Sequence, residues 1–300
     1  MIDGYLRYKL TNNLSLRVSA ASTMTHSKGE EWYPRTTSWG YEQNGNAYVS
    51  ETNTNSWQSS NTLNYANSFA GGKHYLNVML GFELNEYTYH NWNTRAQGFI
   101  DQSYMGIYDM SQASVFPDKV RTYKESNSRE SEFGRLNYTL LERYLFTASL
   151  RRDGSSKFGK NNKYAYFPSG AFAWKMEKEN FMRKQNLFSE FKLRASYGVT
   201  GNDRIENYRA LARTEKTYYV GSTKNAVELG LSPAEISNPD LKWETTYQVN
   251  FGTDIQMFKD RLGIVFDWYD KKTKDMLLRV GVPSQIGSYR QWQNIGQIDN

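Results

Sequence analysis

Long stretches in which apolar and polar residues alternate one by one constrain this chain more than any other feature. In LNVMLGFEL, Leu76, Val78, Leu80, Phe82 and Leu84 share one side, and Asn77, Met79, Gly81 and Glu83 share the other. FKLRASYGVT sets Phe191, Leu193, Ala195, Tyr197 and Val199 against Lys192, Arg194, Ser196, Gly198 and Thr200. LKWETTYQVNFGTDI sets Leu241, Trp243, Thr245, Tyr247, Val249 and Phe251 against Lys242, Glu244, Thr246, Gln248, Asn250 and Gly252. LGIVFDWY places Leu262, Ile264, Phe266 and Trp268 on one face. Successive side chains of a β-strand point to opposite faces, so each run builds a sheet with one apolar and one wet side. The runs are about 9–14 residues long, beyond the ~5–6 of ordinary strands and enough for the ~9–11 with which a tilted strand crosses a bilayer.

Composition narrows the choice. Hydrophobic residues make up only 38%, yet aromatics reach 15%, with 23 Tyr and 8 Trp among 300 residues. No segment approaches the ~20 apolar residues of a membrane helix. Two architectures fit: a soluble β-protein with carbohydrate-binding aromatics, or a barrel in which only alternate residues meet lipid and aromatic girdles mark the interfaces. The absence of cysteine excludes disulfides and thiolate metal sites. The net charge of +6 is spread among interleaved acids and bases. That pattern reads as solvated loops and a polar lumen, with no nucleic acid as partner. His26, His74 and His90 stand at no metal-ligand spacing, and Asp267 and Asp270 read as acids of a polar rim. No catalytic, cofactor-binding or metal-ligating residue is assigned, and no enzyme activity is expected.

The connections separate the two architectures. Candidate strands are Tyr5–Leu10, Leu14–Ala21, Trp57–Asn67, Tyr75–Glu86, Glu130–Leu140, Tyr144–Arg152, Tyr164–Lys175, Phe191–Thr200, Leu241–Ile255 and Leu262–Asp270. The links at Asn12–Asn13, Ala70–Lys73, Leu141–Arg143 and Gln256–Arg261 are short, and those at Ser22–Ser56, Tyr87–Arg129 and Gly201–Asp240 are long. Asp153–Lys163 is intermediate, and Met176–Glu190 is long for its side because MEKENFM reads as a short helix. Outer-membrane barrels sort their links in this way, with short periplasmic turns and long extracellular loops. Pro168 inside a strand is expected to mark a bulge or an edge.

One motif points elsewhere at first sight. GSSKFGKN, Gly154 to Asn161, approximates a phosphate-binding loop, but Asn161 stands where a Ser or Thr should hold magnesium. Downstream of it, YAYFPSGAFAW carries Pro168 and Gly170 and no helical period. A phosphate loop must open a helix, so this segment is read as a hairpin tip. Gly154 and Gly159 are expected to supply left-handed turns, and Lys157, Lys160, Asn161 and Asn162 to keep the tip wet.

RYLFTASLRRDGSSKFGKNNKYAYFPSGAFAW, Arg143 to Trp174, resembles the SusC/RagA family of TonB-linked outer-membrane transporters of Bacteroidota. The likeness continues in FKLRASYGVTGN (Phe191–Asn202), in NPDLKWETTYQVNFGTDIQMFKDRLGIVFDWYDKKTKDML (Asn238–Leu277) and in NIGQIDN (Asn294–Asn300). The resemblance implies an all-β fold, an antiparallel transmembrane β-barrel of about 22 strands around a folded plug, with an N-terminal segment that contacts TonB. About ten strands are read here, without plug or signal peptide. Residues 1–300 are therefore expected to be part of the barrel domain, with the plug, the TonB-contacting segment and the remaining strands absent from this chain. The resemblance further implies an outer-membrane location, lipid contact, a SusD-like surface lipoprotein as lid and the TonB complex as energy source. It implies an oligosaccharide or peptide as substrate. Arg151, Lys192, Arg194, Lys242, Glu244 and Gln248 would then line the lumen, and Trp174, Trp243 and Trp268 would form girdles. Aromatics of the long loops that would touch substrate or lid are Tyr89, Trp92, Tyr104 and Tyr218. A passive porin or adhesin barrel, and a soluble carbohydrate-binding β-protein, are the alternatives.

Overall fold

The computed structural model describes the chain except for residues 103–104, 118–119, 184–186, 222–226, 284 and 286–289. Its strands are β1 (Ile2–Lys9), β2 (Leu14–Tyr33), β3 (Asn46–Phe69), β4 (His74–Phe99), β5 (Ala113–Val115), β6 (Arg121–Leu140), β7 (Tyr144–Ser155) and β8 (Tyr164–Lys175). They continue with β9 (Phe188–Asn202), β10 (Arg213–Val220), β11 (Val227–Glu235), β12 (Glu244–Met257), β13 (Leu262–Lys274), β14 (Leu277–Gly281), β15 (Arg290–Asn294) and β16 (Gln297–Asp299). Helix is confined to short turns, including α1 (Ser38–Tyr41) and α2 (Asn180–Arg183). The main sheet runs β1-β2-β3-β4-β6-β7-β8-β9-β12-β13-β16, with β5 added to β4, while β10–β11 and β14–β15 form separate hairpins. Two compact units contain these elements: Met1–Gly4, Ala20–Ser59 and Asn85–Asn127 in one, and Tyr5–Ser19, Ser60–Leu84 and Ser128–Asn300 in the other.

All ten strands expected from the alternation are present, and β8 has the expected bounds. The largest difference lies in the presumed long loops. Ser22–Ser56 is mostly strand, because β2 runs on to Tyr33 and β3 starts at Asn46. Tyr87–Arg129 likewise yields to β4 as far as Phe99 and to β6 from Arg121. The 24 residues of β3 are far more than the ~9–11 with which a tilted strand crosses a bilayer. Beyond the hydrocarbon both strand faces are wet. Backbone pairing persists there while the apolar alternation that reveals a strand disappears.

The short turns are tight. In the three-residue link Leu141–Arg143, Leu141 and Glu142 both take positive φ (53° and 56°) as the central residues of a turn closed by the Arg143 N–H on the Leu140 carbonyl (3.0 Å). Glu179, immediately before α2, latches this end of the sheet. It accepts from the Arg143 guanidinium (2.9 Å), the Tyr144 hydroxyl (2.6 Å) and the Trp174 indole (3.1 Å). Pro168 causes no bulge: it pairs with Leu150 in an unbroken β7–β8 register. The β8–β9 pairing begins only at Ser169, so the missing N–H falls where that ladder ends.

Within the second unit the two faces of the sheet differ sharply. One carries Leu80, Phe82, Phe146, Leu150, Phe172, Leu193, Tyr197, Phe251, Ile264 and Trp268, all exposed. The other is polar and hydrogen-bonded: Asn250 donates across to Ser196 of β9 (3.1 Å), and Gln248 donates along its own strand to Asn250 (2.7 Å). The apolar band is bounded by Tyr144 and Trp174 at the short turns and by Arg152, which lies 3.9 Å over the Tyr164 ring, at the other end. Eight residues separate Tyr144 from Arg152, about 26 Å along the strand, which matches the apolar belt of an outer-membrane barrel. Trp174 occupies the expected girdle position. Trp268 instead stacks on Phe251 (5.8 Å) inside the band, and Trp243 is buried elsewhere.

Ala148 sits midway along this band, and Thr147 beside it faces the wet side. Ala148→Arg is expected to cost about 2–4 kcal/mol in lipid, and Thr147→Arg much less. Denaturant titration of the protein folded into vesicles checks this, and equal losses would contradict the lipid-facing assignment.

Candidate functional site

Three constructions stand out above the scaffold. The first is a charge ladder on the wet face of the second unit. Arg194 grips Asp254 with two hydrogen bonds (2.9 and 2.7 Å) and reaches Asp267 at 2.9 Å, while Lys192 lies 3.5 Å from Asp254. Arg151 joins Glu83 (2.8 Å) and Asp153 (2.7 Å) and covers the Phe133 ring. Gly252 is small for this reason, since a Cβ there would lie 2.8 Å from the Arg194 guanidinium carbon and 2.5 Å from Asp267. Alternating cations and anions on one wall offer fixed hydrogen-bond partners to a polar solute. Lys242 does not belong to this wall: it precedes β12 and pairs with Asp275 (2.9 Å).

The second is a buried cluster at the long-connection end. Phe158, Phe167, Val199, Ile205, Ala210, Leu241 and Trp243 pack together, with Trp243 donating its indole N–H to the Lys163 carbonyl (3.1 Å). GSSKFGKN contributes Phe158 to this cluster, so the tip is wet only in part: Lys160 and Asn161 are exposed as expected, and Lys157 and Asn162 are half-buried. Phe158 is buried, and neither glycine takes a left-handed conformation. Their role is close approach: a Cβ on Gly154 would meet the Tyr164 ring at 2.4 Å, and one on Gly159 the Pro239 carbonyl oxygen at 2.7 Å. Beneath lies Asp203, which accepts from Arg129 and from the Ser155 hydroxyl (2.9 Å). Burial pushes its carboxyl up, but the Arg129 guanidinium and the Ser155 hydrogen bond outweigh burial and hold it below the usual range. Nearby, buried Glu235 receives Arg209 (2.7 Å) and Arg279 (2.6 Å).

The third is the β10–β11 hairpin. Its register aligns Tyr218 with Leu229, Val220 with Val227 and Lys216 with Leu231. One face therefore collects Tyr218, Val220, Val227, Leu229 and Leu231, each more than half exposed. Tyr218 was expected from the sequence. Its apolar neighbours were not, although the short alternation in VELGL could have revealed them.

The other expected contact residues do not converge. Tyr89 and Trp92 lie three residues apart on β4, and thus on opposite faces. The Tyr89 ring is 6.1 Å from that of Tyr123, and Trp92 hydrogen-bonds Glu51. Tyr104 lies outside the described residues. In the same unit Trp32 packs edge-on against Phe99 (4.9 Å), and Arg35 donates to the Phe99 carbonyl (2.6 Å).

A sheet with one face for lipid and one for a polar interior is what a membrane barrel requires. The sequence matches the family described as TonB dependent receptor-like, beta-barrel, over residues 6–300. The chain belongs to the TonB-dependent receptor β-barrel family. It is 35% identical over 298 residues to TonB-dependent receptor P3 of Formosa agariphila, covering 99% of this chain and 29% of that protein. Against TonB-dependent receptor SusC of Bacteroides thetaiotaomicron it is 38% identical over 191 residues, 59% of this chain and 18% of SusC. The structure superposes on the RagAB peptide transporter with a TM-score of 0.87 at 29% identity, covering 99% of this chain and 32% of that one. These relatives place it among the SusC/RagA-like receptors. The chain thus spans about a third or less of the length of the relatives it matches.

Asp203 generates a prediction. Its carboxyl is depressed in the folded state, so its contribution is complete above the unfolded value of ~3.9 and is lost as pH falls through the folded value. Hydrogen exchange of the 155–163 and 199–205 segments, corrected for intrinsic rates, should stay slow to about pH 4 and rise below it. Asp203→Asn should exchange faster at neutral pH and lose that part of the pH dependence; an unchanged profile would contradict the role given to Arg129 and Ser155.

Proposed function

We propose that this chain is a section of the barrel wall of a TonB-dependent nutrient importer in the outer membrane, acting within a longer receptor. The observation that carries this reading is the two-faced sheet: an exposed apolar band about 26 Å long backs a wall of fixed ion pairs. The sheet order leaves β1 and β16 as edges among the described residues, and in hydrocarbon unpaired N–H and C=O groups are prohibitive. Further strands from the same receptor meet that need. The plug and the segment that engages the TonB complex belong to the longer protein as well.

The substrate class is an oligosaccharide or a peptide. The likeness to SusC-type proteins and to a structure described as a peptide transporter supports it. The charge ladder gives such a solute hydrogen-bond partners along the wall without any bond-breaking group. A SusD-type surface lipoprotein is the partner, and the apolar face of β10–β11, with Tyr218 at its centre, suits contact with it. Five exposed apolar side chains on one two-stranded face are costly in water and favourable against a protein.

Two experiments test this reading. In the receptor at native length, Leu229→Asp combined with Leu231→Asp should reduce co-purification of the lipoprotein and slow uptake, while heat-modifiable gel mobility stays normal. Full retention of the lipoprotein would remove the hairpin from the interface. Residues 1–300 expressed alone behind a signal peptide should not restore TonB-dependent growth, and growth on this chain alone would refute the wall-section reading.

A further inference from the structure

The apolar band is not a uniform surface. Leu136, Ala148, Gly170, Tyr197 and Val249 stand side by side across β6, β7, β8, β9 and β12. The next row toward the short turns is Phe146, Phe172, Ala195 and Phe251. The small residues Ala148, Gly170 and Ala195 form a floor between the larger ones, leaving an open groove of about 550 Å³ with no charged residue in its lining.

Gly170 is the informative position. Glycine inside a strand weakens it, and it persists where the backbone needs positive φ or where another group approaches closely. Gly170 has no positive φ. Some strand glycines make room for the chain's own side chains, Gly81 for the Phe133 ring, Gly201 for the Phe167 ring and Gly252 for Arg194, whereas Gly4, Gly198 and Gly263, like Gly170, do not; of these four only Gly170 lines the groove. At Gly170 the atom nearest to an added Cβ is the Thr147 carbonyl oxygen at 3.8 Å, so a side chain would fit and the chain itself does not use the space.

We propose that this groove holds one acyl chain of a phospholipid from the leaflet on the short-turn side. The groove is continuous with the lipid-facing band, so acyl chains are what already surround it. A peptide segment would leave backbone N–H and C=O groups unsatisfied against a carbon-lined floor in hydrocarbon. A methylene chain has no such groups, and it can follow a depression one side chain deep between aromatic walls. The leaflet is set by position. The Ala148 row lies at mid-band and the Phe146 row two residues from the Tyr144 edge, about 7 Å, so the groove runs from the midplane into the leaflet on the short-turn side. The inference rests on the lipid-facing assignment of this face and is independent of the imported substrate.

The test uses the receptor at native length, extracted from the membrane in mild detergent and exhaustively delipidated. Native mass spectrometry counts retained phospholipid, and electron paramagnetic resonance with a phospholipid spin-labelled near the acyl terminus reports an immobilised component. The wild type should retain phospholipid and show that component. Gly170→Leu and Ala195→Leu, which fill the floor, should lower retention about tenfold, the effect of losing burial of about two methylenes. Leu262→Phe, on the same face outside the groove, should change nothing. Heat-modifiable mobility verifies folding, and Gly170→Ala, adding one methyl to open space, should give a partial loss if the larger variants fold poorly. Equal retention in wild type and filled variants, or a wild type without an immobilised component, would overturn the proposal. So would a filled variant that keeps its lipid but loses a second protein copy, because the groove would then be a protein interface. A failure here with an intact lipid-facing stability difference at Ala148 leaves the barrel reading standing.

Discussion

Backbone hydrogen bonding between neighbouring strands is the constraint on which the rest of this structure depends. In hydrocarbon, water cannot rescue an unpaired N–H or C=O group, so strands within the band must pair without interruption. The ladders β6–β7, β7–β8 and β12–β13 run without a register break. The one shift between β9 and β12 falls at Gln256/Met257, next to a short turn. A one-residue slip would send every apolar side chain to the wet face, so register and facing are fixed together. Even Pro168, which lacks a donor, sits where a ladder ends.

This constraint explains why the buried core is small and lies away from the band. Side chains in the band serve lipid on one side and a polar interior on the other, so few are buried. Packing in the usual sense begins where the connections fold over the strand ends, around Trp243 and Leu241. Two buried carboxylates, Asp203 and Glu235, are each held by arginines there. Removing one partner would leave an uncompensated buried charge, so such pairs fix how the connections lie even where their net stabilisation is small. The glycines beside them serve the same end by admitting rings and carbonyls at distances no Cβ tolerates.

The strand assignments were legible because lipid demands strict alternation, and the short turns because nothing else separates adjacent runs. The extensions of β2, β3, β4 and β6 were not legible: Asn, Ser, Thr and Tyr on both faces carry no period for a pattern to register. The surroundings of the candidate contact residues were not legible for a related reason. An aromatic in a polar stretch marks a side chain that packs on something, within the chain or outside it, and says nothing of which face it takes. Tyr218 gained apolar neighbours only through the pairing of β10 with β11, whereas Tyr89 and Trp92 were separated by the extension of β4.

The sequence by itself determined the class of fold, the positions of the band strands and the identity of their two faces, because period-two alternation is a local property that each strand carries alone. It also determined that GSSKFGKN joins two strands and opens no helix. Only the tertiary structure decided what that segment does, since Gly154 and Gly159 are explained by Tyr164 and Pro239, the latter from a distant connection. The Arg194–Asp254 ladder, the Arg129–Asp203–Ser155 contact and the groove over Gly170 likewise join residues of different strands and connections. They depend on strand register, and register is a relation between segments that no single segment encodes.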